Sequence, residues 1–292
     1  MKIVNIKGGL GNQMLQYALA YKLKKLHPNE EILLDLKDFK GYKWHVYELK
    51  HVFDVDIRVA SFWQLIKVTS PYSSNTFWGR GVHKIFGVLG LRKEFVEKGL
   101  FEYDEEVFNI EGDCYYDGIW FNEKYFLDIR DEILGIFSFN RNLDETNNAL
   151  LQEIKSTNSV SLHVRRGNYL LLDVYKGICD LDYYQRAIDY ININVENPHF
   201  YIFSNDIDWC KENLTGMLKN YTFVGNNFGM NNYIDLQMMS NCKHNIIAHS
   251  SFSWWGAWLN QNKGKIVICP QKWMNMKGLN GTPQLDEWIK IS

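Results

Sequence analysis

No run of about 18 consecutive apolar residues occurs in the sequence, so no segment reads as a helix that spans a bilayer. The opening MKIVNIKGGL enters a strand pattern at once and shows no apolar signal-peptide core, which gives the expectation of a cytoplasmic protein. An excess of one charge is also missing. Lys and Arg number 32 against 34 Asp and Glu, a formal net charge of −2. Such a chain has no global field for gripping nucleic acid or an acidic membrane, so any anion must be held by a local constellation. A small ligand is therefore expected rather than a polymer of phosphates. The five cysteines, Cys114, Cys179, Cys210, Cys242 and Cys269, include no C-x-x-C pair and are widely spaced. Neither a disulfide framework nor a structural zinc site is suggested, and the thiols read as reduced and mostly buried. The eight histidines form no H-E-x-x-H or comparable cluster, so no dedicated metal site is expected.

What is present is an ordinary globular composition. With 292 residues, 46% hydrophobic and 23% charged, the chain can bury the core of one large or two ordinary domains. Aromatics reach 15%, which suits sugar stacking and a large core equally. The first part reads as a strand at 2–6, a glycine-rich turn at 8–11, an amphipathic helix to about Leu26 and a strand in EEILLDL. From about 40 to 119 the pattern is irregular, with short helical pieces, many aromatics, the stretch GYKWHVYEL (41–49), and SPYSSN (70–75) as its clearest loop. NLDETNNALLQEIKSTN (142–158) reads as a helix and lies near the expected junction between domains at 1–150 and 151–292. Beyond it, strands (SVSLHVR, HFYIFSN, YTFVG, HNIIAHS, KIVICP) alternate with helices (DLDYYQRAIDYIN, DIDWCKEN, NNYIDLQMMSNC, FSWWGAWLN). Short connections between them argue for an α/β fold with a doubly wound parallel sheet and right-handed crossovers. Ligands of such sheets sit beyond the carboxyl ends of the strands.

Several segments stand at those ends. KGGLGNQ (7–13) joins a strand to a helix, where glycines allow close backbone approach and a helix N-terminus offers N–H groups to an anion. It is no Walker loop, because no G-K-[ST] follows, and Met14 spoils a dinucleotide fingerprint. A plain βα turn would look the same. In SLHVRRGNY (161–169), period-2 alternation puts Val160, Leu162 and Val164 on one face and Ser161, His163 and Arg165 on the other. A polar face ending in His163 and Arg165 suggests a cleft, with Arg165 the planar fork for phosphate oxygens and Arg166 in the turn. An edge strand with solvated arginines is the alternative. HSSFSWW (249–255) offers serine hydroxyls at a helix start, which ordinary N-caps also do. Asp206, ending FSND, would accept from ribose or a base, or simply cap a helix.

Taken together, GGLGNQMLQYA, HVRRGNY, YIFSNDIDWCKENL, DLQMMSNCKHNIIAHSSFSWWGAWLN and KIVICPQKW resemble glycosyltransferase family 11, the α-1,2-fucosyltransferases. The resemblance implies a GT-B-type enzyme with two Rossmann-like domains facing a cleft, no metal or other cofactor, and inversion at fucose. It implies GDP-β-L-fucose as donor and the 2-hydroxyl of a terminal galactose in a glycan as acceptor. Carried onto this chain, Arg165 would grip the β-phosphate, with His163 and Arg166 in support. Ser250, Ser251 and Phe252, with Ser253 beside them, would hold the diphosphate. Asp206 and Asp235 would contact guanosine, and Gly9, Leu10, Gly11 and Asn12 would close over the donor from the other domain. The family's H-x-R-R-G-D has Asn168 in place of the aspartate here, and His249 stands where Asn is common. The likeness to the bacterial form implies a cytoplasmic enzyme, peripheral to the inner membrane when its acceptor is lipid-linked.

No acid declares itself as general base by spacing alone, and Asp173, eight residues after Arg165, is the candidate by distant analogy. A nicotinamide-dependent oxidoreductase is one rival, opposed by Met14. A non-enzymatic glycan-binding protein is another, motivated by Asn168 and His249.

Overall fold

The structure, a computed structural model, describes residues 1–40, 45–69 and 93–292. The SPYSSN loop, residues 41–44 at the start of GYKWHVYEL and the side chain of Asn168 lie outside the described residues. The chain divides into two units. The first comprises Met1–Lys50, Asp54–Ile136 and Leu279–Gly281; the second comprises His51–Phe53, Phe137–Gly278 and Thr282–Ser292.

The first unit holds β1 (Lys2–Asn5), α1 (Leu10–Leu26), β2 (Ile32–Asp35), α2 (Phe62–Thr69), β3 (Glu94–Val96), β4 (Cys114–Asp117) and α3 (Arg130–Ile136). Its strands lie in the order β2-β1-β4-β3, and every pairing is parallel. β1 and β2 are buried along their whole length, as strands covered on both faces must be. The reading of 40–119 as irregular with short helical pieces accommodates α2 but needs correction for β3 and β4, which also lie within it. β3 and β4 have 3 and 4 residues, too few for a period to show. Their strand character comes from pairing, with Lys2, Ile3 and Val4 of β1 opposite Cys114, Tyr115 and Tyr116.

The second unit holds α4 (Glu145–Ser156), β5 (Asn158–Val164), α5 (Leu181–Asn194), β6 (Pro198–Ser204), α6 (Ile207–Leu214) and β7 (Tyr221–Val224). It continues with α7 (Tyr233–Asn241), β8 (His244–Ile246), α8 (Ser251–Leu259), β9 (Val267–Pro270) and β10 (Ile289–Ile291), the last unread from the sequence. Four helix starts are written into local chemistry. Asp144, Asp180, Asp206 and Ser250 cap α4, α5, α6 and α8 by accepting from the N–H groups of Asn147, Tyr183, Trp209 and Phe252. Each such cap stabilises its helix by about 1 kcal/mol.

All strands of the second sheet run parallel in the order β10-β9-β8-β5-β6-β7. The chain builds outward from β5 through β6 and β7, then returns to lay β8, β9 and β10 on the other side. The direction of winding therefore reverses between β5 and β8, and a crevice opens at the carboxyl ends of such a pair. Val160, Leu162 and Val164 pack on Tyr184, Ala187, Ile188 and Ile191 of α5, each burial worth about 1.5–3 kcal/mol for a large aliphatic chain. The opposite face of β5 is buried as well, because β5 is central. Ser161 is 1% exposed and accepts at Oγ from Asn245 Nδ2 at 2.8 Å. Asn245 also donates to the Met239 carbonyl and accepts from Asn260 Nδ2 at 2.7 Å. The polar face therefore does not line a cleft along its length; only the residues at the strand's end reach the crevice.

Candidate functional site

β5 and β8 lie side by side, with Leu162 opposite Ile246. The loops that follow them bring Arg165 and His249 to the wall of one cavity of about 340 Å³. Tyr169, Tyr175, Cys179 and Trp209 also line it, and all of these belong to the second unit.

The paired arginines divide at once. Arg166 donates from Nε to Asp206 Oδ2 at 3.0 Å, and its guanidinium carbon sits 3.9 Å from the Trp209 ring centre. Its backbone N–H donates to Asn205 Oδ1 at 2.9 Å. Gly167 follows at φ +64°, a left-handed backbone that favours glycine, and a Cβ there would meet Asn205 Nδ2 at 2.6 Å and push that side chain off the Arg166 N–H. Arg165 lies 5.1 Å from the Tyr169 ring centre, and both arginines line the cavity. Asp206 caps α6 and pairs with Arg166. Of its two sequence readings, ribose or base acceptor and helix cap, the cap is the one drawn in this geometry.

Two buried imidazoles feel the charge of Arg165. His163 is 5% exposed, its Nδ1 has no hydrogen-bond partner among the described residues, and its ring lies 6.0 Å from Phe252. Burial, and then the charges of Arg165 and His249, push its pKa down to about 3. His249 is 4% exposed and is pushed down to about 4 by burial and then Arg165. Both rings are therefore neutral near pH 7. Tyr169 and Tyr175 stack at 4.3 Å, and their ring centres lie 5.2 and 5.1 Å from that of His249. His249 Nδ1 meets Cys179 Sγ at 3.1 Å. No local pattern marks Tyr175, Cys179 or Trp209 as site residues, because the fold gathers them from separate segments.

The serine turn after β8 is braced from within. Ser250 is 5% exposed and caps α8. Ser253 is wholly buried and donates to the carbonyls of Ala248 and Ser250 at 3.4 Å. Ser251 and Phe252 are partly exposed in the first turn of α8. Asp235 stands in a different polar cluster, where Asn227 Nδ2 donates to it at 2.8 Å and Asn227 in turn bonds Asn147. Burial raises its carboxyl to about 7 against the pull of Asn227. Asp173 lies on an exposed turn, with Lys176 Nζ 3.4 Å away.

Gly9, Leu10, Gly11 and Asn12 stand in the first unit. The helix begins earlier than the glycine-rich turn suggests: Gly9 is its N-cap, and Leu10, Gly11 and Asn12 form its first turn. Gln13, the last letter of GGLGNQ, clamps the turn by donating to the carbonyls of Gly8 and Val46 and accepting from the Glu48 N–H at 2.9 Å.

Comparison with known proteins decides the family. The model described as Glycosyl transferase family 11 matches residues 91–292. The chain belongs to glycosyltransferase family 11. This family 11 chain is 33% identical to an alpha-1,2-colitosyltransferase of Escherichia coli, over 99% of its own length and 98% of the relative's. It is 32% identical to the O-antigen biosynthesis glycosyltransferase WbnK of Escherichia coli, over 98% and 99% of the two chains. Galactoside alpha-(1,2)-fucosyltransferase 2 of Mus musculus is 31% identical over 45% of this chain and 40% of its own. Among solved structures, NodZ alpha-1,6-fucosyltransferase soaked with GDP-fucose superposes with a TM-score of 0.51 at 12% identity, covering 88% of this chain and 91% of that one. That likeness concerns the fold, which is of the GT-B type with two parallel sheets. Among the described residues no helix is long and apolar enough to cross a membrane.

Proposed function

We propose that this family 11 glycosyltransferase transfers L-fucose, with inversion, from GDP-β-L-fucose to the 2-hydroxyl of a terminal galactose in a glycan. The observation that carries the reading is the constellation at the β5/β8 switch point: Arg165 and His249 on one cavity wall, with His163 and His249 both held neutral by burial and by the charge of Arg165. Relatives named as α-1,2-transferases of fucose and colitose support the reaction class and the linkage.

In an oxocarbenium-like transition state, negative charge grows on the departing β-phosphate. Arg165 would take two of its oxygens in a bidentate fork. His163 and the first turn of α8, with Ser250, Ser251 and Phe252, would complete the donor side. A preorganised donor of this kind contributes roughly 3–4 kcal/mol, or ~10²–10³ in rate. Arg166 would act through its pairing with Asp206, and the α1 turn with Gly9, Leu10, Gly11 and Asn12 would contribute donor contacts. In this reading no metal is needed, and turnover persists in excess EDTA. No general base is assigned, and early departure of the leaving group lowers the demand for one. The O-antigen relative favours a cytoplasmic enzyme that works at the inner membrane when its acceptor is lipid-linked.

A second reading keeps the linkage and replaces fucose by colitose, favoured by the 33% identity to the colitosyltransferase across 99% of the chain. The test is incubation of GDP-fucose with lactose, lacto-N-biose and Gal-β1,3-GalNAc, followed by linkage analysis. A Fuc-α1,2-Gal product is expected. Colitose transfer to the same acceptors, with fucose refused, would establish the second reading. Failure to bind GDP in calorimetry would overturn both.

A further inference from the structure

The contact between His249 and Cys179 joins residues 70 positions apart and has no part in the reading above. We propose that Cys179 is a positioning residue that holds His249 in the Nε2–H tautomer, so that Nε2 presents a neutral hydrogen-bond donor to a phosphate oxygen of a bound nucleoside diphosphate. The inference rests on the donor-site reading above and adds a residue and a proton to it.

The direction of the bond follows from what each atom can do. Sγ and Nδ1 are 3.1 Å apart, so one of them donates to the other. Sulfur is a weak acceptor, whereas the unprotonated ring nitrogen is a good one. The sulfur also already accepts the backbone N–H of His249. Burial pushes the Cys179 thiol far above its usual range, so its proton is present at any neutral pH. The arrangement that gives the thiol proton an acceptor is S–H to Nδ1, which puts the one proton of the neutral ring on Nε2. The ring itself stays neutral, since Arg165 and burial together hold it down to about 4.

Nε2 is the atom left over. It is buried and meets no acceptor among the described residues, although His249 lies on the wall of the cavity with Arg165. A buried donor with no acceptor is costly, and an anionic oxygen entering beside Arg165 would satisfy it. The Tyr169 and Tyr175 rings packed against the imidazole limit its rotation, so the thiol decides which nitrogen carries hydrogen while the tyrosines help fix the ring's orientation.

The experiment uses the full chain, ¹⁵N-labelled at histidine, with calorimetry against GDP. Imidazole NMR of the wild type should show His249 as Nε2–H. Cys179→Ala should mix the tautomers and weaken GDP binding about 10-fold, the scale of one hydrogen bond to a charged group. Cys179→Ser keeps a donor at the same place and should restore both the tautomer and the affinity. His249→Phe should weaken GDP as Cys179→Ala does, and the double variant should add little. An Nδ1–H signal in the wild type overturns the proposal. So does a folded Cys179→Ala chain with wild-type affinity, or a Cys179→Ser chain as weak as Cys179→Ala. A wild type with the Nε2–H signal and no GDP binding overturns the nucleotide reading while leaving the Cys179–His249 bond established.

Discussion

Arg166 and Asp206 hold one another at 3.0 Å across 40 positions of sequence, which separates two arginines that look equivalent in the motif. Both arginines line the cavity, but Arg166 is tied to α6 through Asp206 and Trp209, whereas Arg165 lies along the Tyr169 ring. Arg165→Ala and Arg165→Lys are both expected to lower kcat by ~10²–10³, the lysine because it cannot form the planar fork. An Arg165→Lys enzyme turning over at nearly the wild-type rate would remove Arg165 from its assigned role.

Arg166→Ala should behave differently. The pair is partly exposed, 22% and 38% at the two side chains, so solvent screens it. With the stacking on Trp209 included, the loss is about 1 kcal/mol of stability, read as a shift in urea midpoint. GDP affinity should change less than for Arg165→Ala; an equal or larger loss would reverse the division between them.

Asp235 predicts a stability that depends on pH in the direction opposite to ordinary carboxylates. Its folded pKa is raised to about 7 from the usual 3.8, so stability is present below 3.8 and lost as pH rises toward and through 7. Asp235→Asn, which keeps an acceptor for Asn227, should gain on the wild type as pH rises from 3.8 and exceed it by a wider margin at pH 8 than at pH 5. Urea unfolding at the two values checks this, and a variant less stable at pH 8 would contradict it.

The two imidazoles have the reverse sign. Their folded pKa values, about 3 and about 4, lie below the ordinary 6.5. Above 6.5 they contribute no pH dependence, and stability is lost as pH falls from 6.5 toward 4, where the unfolded chain takes up protons that the folded chain refuses. The upper figure is about 2 kcal/mol per ring at pH 5. His249→Phe should lose less stability than the wild type between pH 6.5 and 5. Parallel curves for the two proteins would show that the ring is not held neutral.

Gly8 sits at φ +79°, and a Cβ there would meet Asn12 Nδ2 at 2.8 Å. Gly8→Ala should cost about 1–2 kcal/mol from the left-handed backbone, with the flexible Asn12 side chain free to give way. Gln13→Ala should cost more, since it removes a wholly buried amide and leaves the Gly8 and Val46 carbonyls and the buried Glu48 N–H without their clamp. Thermal midpoints of the two variants test the ranking.

Much of the second sheet is legible from the sequence because its signals are local. Asp180, Asp206 and Ser250 cap the helices that follow them within three residues, and the apolar pattern of Val160, Leu162 and Val164 needs no partner to be seen. Glu94–Val96 and Cys114–Asp117 escape notice because strands this short are defined by the neighbours they pair with. The site divides along the same line. Arg165 is visible in its motif, but the Asp206 that occupies Arg166 and the Cys179 that meets His249 are 40 and 70 positions away from their partners. Burial of Ser161 was equally invisible, because alternation marks the face of a strand and not what covers it.

The bonds among Ser161, Asn245 and Asn260 have a consequence for how the sheet finds its alignment. Hairpins count residues through the length of their turns, but β5 and β8 run parallel and are more than 70 residues apart along the chain. Slipping β8 by one residue would turn the Asn245 amide toward the aliphatic side packed on α5, leave the Ser161 hydroxyl stranded in the interior and cost the Asn260 amide its bond to Asn245. A misaligned sheet would thus forfeit several buried hydrogen bonds at one stroke. Three small polar side chains act as a ruler that sets where the two strand ends stop, and with them the spacing of Arg165 and His249.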